Sequence, residues 1–123
     1  MAITRFENIQ GRQAARELSK AVYHVTRTET FSWDFSLVDQ ARRASVSAMA
    51  NIAEGFDSHS NSEFIRFLYY ALRSASEVQS HLYVALDQGY ITEAEFTAVY
   101  QEASKTKRLV FSLIEYLRTH NRP

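Results

Sequence analysis

Apolar residues return at three- and four-residue intervals in four stretches of the chain. The first holds Ala15, Leu18, Val22 and Val25, and the second Val38, Ala41, Ser45, Ala48 and Ile52. The third holds Phe64, Leu68, Ala71, Ala75, Val78, Leu82 and Ala85, and the fourth Phe96, Val99, Ala103, Thr106, Val110, Leu113 and Leu117. This interval sets each group on one face of an α-helix, so the pattern predicts four amphipathic helices meeting along apolar seams. No stretch alternates with the two-residue period of a strand. The second seam is made largely of Ala and Ser, which permits close approach of a neighbour.

Polar punctuation divides the same segments. Ser60 with Glu63 and Thr92 with Glu95 have the spacing of capping boxes, which opens the third and fourth helices there. Gly55 is read as the stop of the second helix and Gly89 as that of the third. The breaks at about 29–35, 55–61 and 88–92 are short, and short connections make consecutive helices antiparallel. The expected fold is therefore all-α, an up-down-up-down antiparallel four-helix bundle filling residues 1–123 as one domain.

One bundle leaves apolar surface over. Phe64, Ile65, Phe67, Leu68, Tyr69, Tyr70, Ala71 and Leu72 surround the third helix with only Arg66 interrupting, and Leu109 to Leu117 does much the same in the fourth. Helices apolar around so much of their circumference call for further burial, most simply against other copies of the chain. The expectation is a homo-oligomer.

Composition narrows the functional classes. The 123 residues include no cysteine, which removes disulfides, thiolate metal sites and a cysteine nucleophile. No run approaches a membrane span, and the start Met-Ala-Ile-Thr-Arg-Phe-Glu has no leader-like apolar stretch, so a soluble cytoplasmic protein is expected. Fourteen Lys and Arg balance fourteen Asp and Glu, so no global positive field favours nucleic acid. Locally, Lys105, Lys107, Arg108, Arg118 and Arg122 face only Glu115. They are the candidate RNA or DNA contacts, although cations near a helix C-terminus also arise for structural reasons.

Chemistry is sparse. A di-iron bundle needs Glu-x-x-His pairs, and no acidic residue has a histidine three positions on, so no metal or cofactor is expected. Glycines at 11, 55 and 89 make no phosphate loop, and no Gly-x-Ser-x-Gly elbow appears. Asn51 and Glu54 share a helix face, but a carboxylate at a helix C-terminus is disfavoured by the dipole and is better explained as tied to Arg66 or to loop N–H groups. Arg42 and Arg43 point about 100° apart, with Arg42 expected to pair with an acid such as Glu77 and Arg43 exposed.

The ordered set Phe6-Glu7-Asn8, Ala15-Arg16-Glu17-Leu18, Val22-Tyr23, Leu37-Val38-Asp39-Gln40, Arg42-Arg43-Ala44, Asn51-Ile52-Ala53-Glu54-Gly55, Glu63-Phe64-Ile65-Arg66-Phe67-Leu68 and Leu86-Asp87-Gln88-Gly89-Tyr90-Ile91 resembles the bacterial four-helix-bundle family of ribosomal-RNA intervening-sequence proteins. The resemblance implies a ring of five subunits. It extends to a branch of retroelement accessory proteins, basic pentamers that bind nucleic acid, from which the balanced charge departs. Arg12 stands where the family often has Trp, and Met49 where it often has Pro, so the second helix should run unkinked. Residues and resemblance together lead to a non-enzymatic, ring-forming scaffold or adaptor, with an RNA- or DNA-binding accessory factor as the alternative.

Overall fold

The computed structural model describes residues 9–120. The sequence expectations placed on Phe6, Glu7, Asn8 and Arg122 therefore lie outside the described residues. Among the described residues five helices form: α1 Gln10–Thr26, α2 Glu29–Ser32, α3 Phe35–Phe56, α4 Asn61–Asp87 and α5 Glu93–Thr119. No strand occurs among the described residues.

α1 packs on α3 and α5, and α4 packs on the same two helices, so the four long helices form a closed cycle of contacts. The paired positions run in opposite senses. Gly55 abuts Phe64 while Ser47 bonds Ser74 between α3 and α4. Asn61 bonds Leu117 while Gln79 bonds Ser104 between α4 and α5.

The four periodic seams supply most of the core, joined by residues outside them such as Phe31 and Leu37. Leu18, Val22, Phe31, Leu37, Val78 and Leu82 cluster toward the α2 end, and Ile52, Phe64, Leu68, Val110 and Ile114 toward the other. Each such side chain, fully buried, contributes about 1.5–3 kcal/mol. Buried hydroxyls satisfy themselves on the preceding turn: Ser45 donates to the Arg42 carbonyl at 2.8 Å and Thr106 to that of Glu102 at 2.9 Å. Near the end of α5 Leu117 is buried as expected, but Ile114 is buried in place of Leu113, the residue expected from the spacing, which is only half-buried. Two adjacent apolar residues leave the rotation of a helix open by 100°.

Three expectations about the breaks are corrected. The expected break at 29–35 contains α2, whose Phe31 is 1% exposed and anchors the short helix in the core. Gly55 is not a stop, because α3 continues through Phe56 and its cap Asp57 has a right-handed backbone. A Cβ at Gly55 would stand 2.7 Å from Phe64 Cδ1 and 3.1 Å from Phe67 Cβ, so this glycine is needed for the close approach of α4. Only half of the expected box opens α4: Ser60 Oγ accepts from Glu63 N–H at 3.2 Å, while the Glu63 carboxylate accepts from His59 N–H.

Other boundaries follow the expected chemistry. Thr92 and Glu95 close a reciprocal capping box on α5. Gly89, at φ +75°, ends α4: Tyr90 N–H donates to Ala85 carbonyl at 2.9 Å and Gly89 N–H to Leu86 at 3.0 Å, a Schellman motif. α3 runs uninterrupted past Met49.

Candidate functional site

The outer faces of α4 and α5 carry the surplus apolar surface. Around α4, Phe64, Leu68 and Ala71 are buried, but Ile65, Phe67, Tyr69, Tyr70 and Leu72 are only half-buried. Farther along, Tyr83, Phe96 and Tyr100 form an aromatic cluster across α4 and α5, with centroids 4.8–5.8 Å apart. Tyr83, Val84 and Phe111 remain exposed. Beside the cluster, Gln79 is buried with its amide fully engaged. Its Nε2 donates to Tyr100 carbonyl at 3.3 Å and Ser104 Oγ at 2.9 Å, and its Oε1 accepts from Lys107 Nζ at 3.2 Å.

The candidate nucleic-acid contacts divide between two sides of α5. Lys107 faces Gln79, and Arg118 lies eleven residues on, so it returns to nearly the same side. Arg118 donates to Tyr69 hydroxyl at 2.6 Å and to Glu115 Oε1 at 3.1 Å. Lys105 lines a groove with Gln13 and Glu17 of α1, and exposed Arg108 lies three residues beyond it. Arg122 lies outside the described residues. In one subunit the described cations are thus a split set rather than one patch.

The expected ion pairs of the Arg42–Gly55 segment do not form. Arg42 Nε donates to Thr26 Oγ1 at 2.9 Å, and its guanidinium lies 4.5 Å from the Tyr23 ring centroid, which ties α3 to the end of α1 rather than to Glu77. Glu77 is exposed on α4. Arg43 is exposed as expected and pairs with Asp39 at 2.9 Å. Arg66 lies 3.9 Å from Glu63 and over the Phe67 ring, not on Glu54. Glu54 is exposed, and among the described residues nothing pairs with it. Asn51 turns away from any catalytic arrangement, since its Nδ2 donates to Ser47 carbonyl at 2.9 Å and Ser47 Oγ at 3.0 Å.

The sequence reading missed Asp34. Its Oδ1 caps α3 by accepting from Leu37 N–H at 3.2 Å, and its Oδ2 accepts from Tyr90 hydroxyl at 3.0 Å. Phe31 stacks on Tyr90 with centroids 5.3 Å apart, closing the corner between α2 and the α4–α5 turn. An Asp three positions before Leu37, just ahead of the apolar run of the second predicted helix, is a cap signal that the sequence does contain. Its second partner lies 56 positions away.

The hydrogen bond to Asp34 raises the Tyr90 pKa above the ordinary tyrosine value, with desolvation and the carboxylate charge acting in the same direction. Because the folded pKa is the higher one, this contact's contribution is fully present below about pH 10 and is lost as pH rises through the folded value. Tyr90→Phe should therefore lower the urea midpoint at neutral pH and flatten its decline at alkaline pH. Parallel curves for the two proteins between pH 8 and 11 would show that the contact has no energetic role.

Among the described residues, no cluster of three or more His, Asp or Glu is placed to hold a metal ion, and no helix is long and apolar enough to cross a membrane. The geometry defines an all-helical protein whose most developed surface is aromatic and lies on the outer faces of two long helices. Residues 7–112 match the family model of the 23S rRNA-intervening sequence proteins, and the chain belongs to that family. It is also similar to a crystal structure of a protein of unknown function from the S23 ribosomal protein family of Bacteroides thetaiotaomicron. That likeness has a TM-score of 0.78 at 24% identity, covering 85% of this chain and 98% of the other, and it bears on the fold. No curated protein matches the chain.

Proposed function

We propose that the chain is a non-enzymatic, cytoplasmic assembly protein. In this reading its long helices form one up-down-up-down antiparallel four-helix-bundle domain. Copies join through the outer faces of α4 and α5 into a homopentameric ring that serves as scaffold or adaptor. The carrying observation is the partly exposed aromatic row Tyr83, Phe96 and Tyr100 with Val84 and Phe111, a surface whose burial between subunits removes apolar area from water. Light scattering should give five times the 14.2 kDa chain mass. Tyr83→Lys combined with Phe111→Lys should reduce it toward one chain. A native mass of one chain at every concentration would overturn the assembly, and another closed number would overturn the fivefold ring.

The family's rRNA-related name favours one second reading, an RNA- or DNA-binding accessory factor. A ring would repeat Lys105, Lys107, Arg108, Arg118 and Arg122 around its rims, so that avidity offsets the neutral charge of each subunit. Gel shifts at several salt concentrations test this reading. Binding that falls steeply with salt and weakens when Lys105, Lys107 and Arg108 are reversed in charge supports it.

A further inference from the structure

The two most exposed large apolar side chains among the described residues, Phe35 at 80% and Trp33 at 66%, are not on the α4–α5 face. They line a concavity of about 680 Å³ at the α2 end, whose wall also includes Asp34, Gln88 and Tyr90. Glu29 and Asp87, each next in sequence to a lining residue, are exposed, as is Glu93 at the start of α5. Arg27 is the cation nearest in sequence to α2, and Arg43 is already paired with Asp39. Open aromatic faces with one carboxylate in the wall and exposed acids one residue away from it in sequence attract a guanidinium and repel a phosphate. Among the described residues this contact already occurs: Arg42 lies over Tyr23 at 4.5 Å, Arg66 over Phe67 at 5.1 Å and Arg73 over Tyr70 at 5.5 Å.

We propose that the Trp33–Phe35 concavity is a docking site for an arginine-bearing peptide segment of a protein partner. The partner's guanidinium lies on the exposed indole or phenyl face, with Glu29 and Asp87 supplying the opposite charge. A nucleobase would stack on the same rings, but its phosphates would then meet Asp34 and the neighbouring acids. The site is separate from the proposed subunit contact and does not depend on it.

Trp33 is the only tryptophan, so its fluorescence reports the site directly. The full chain in its native assembly is titrated with blocked hexa-arginine, hexa-lysine and hexa-glutamate peptides and with hexathymidylate. The expected result is a saturable change with hexa-arginine, a weaker one with hexa-lysine, whose ammonium lacks the planar stacking face, and none with the two anions. Phe35→Ser, at an exposed position, and the pair Glu29→Gln with Asp87→Asn should each weaken hexa-arginine binding about tenfold without altering circular dichroism or assembly mass. Unchanged affinity in these variants overturns the proposal, as does a response to hexathymidylate. A change of assembly mass in Phe35→Ser also overturns it, because the surface would then be a contact between copies.

Discussion

Replacing Phe31 by alanine is expected to lower the unfolding free energy by about 3–5 kcal/mol. Four residues of helix hold no stability of their own, because nucleating a turn costs more than its few hydrogen bonds return. α2 exists because Phe31, 1% exposed, is inserted among the core side chains at that end and stacks on Tyr90. Alanine would leave a cavity there and remove the ring contact that joins α2 to the α4–α5 turn. Chemical denaturation checks the magnitude. A loss below about 1 kcal/mol would mean that the corner repacks and that α2 is an accessory turn.

Gly55→Val should destabilise by about 1–3 kcal/mol through overpacking, even though valine is a better helix residue than glycine by a few tenths of a kcal/mol. The added carbons would meet the buried Phe64 ring and Phe67 Cβ, neither of which is the free end of a flexible chain. Gly89 provides the opposite case. A Cβ there meets nothing within 4 Å, but φ is +75°. Asparagine, which visits that backbone region, should be tolerated at 89 and not at 55. If both asparagine variants have the same thermal midpoint, steric approach is not what Gly55 provides.

The seams were legible because Leu18, Ile52, Leu68 and Val110 each belong to a run whose period identifies a buried face. Phe31 belongs to no run, and a lone aromatic in four residues carries no period. Gly55 was misread because a glycine near a helix end looks the same in sequence whether it supplies positive φ or room for a neighbouring ring. Whether Arg42 meets Glu77, or Arg66 meets Glu54, depends on how far one helix slides along another, and neither periodicity nor charge encodes that distance. Only the structure shows Arg42 opposite Thr26 and Glu54 without a partner among the described residues. The surplus apolar surface was legible as an amount, from the density of aromatics in the third and fourth predicted helices. Its division into the Tyr83–Phe96–Tyr100 cluster and the separate Trp33–Phe35 end was not.

Gln79 has a consequence for how α4 and α5 find each other. An alanine-rich seam offers similar apolar contacts after a slide of one helical turn, about 5.4 Å, so packing alone discriminates poorly between adjacent alignments. The buried amide does discriminate. In the observed alignment Ser104, the Tyr100 carbonyl and Lys107 satisfy both its ends. One turn away, its partners would be displaced and each stranded polar group would cost about 1–3 kcal/mol. Gln79 thus acts as a key that admits one axial alignment of the two helices, and with it one fixed spacing of the aromatic side chains they present.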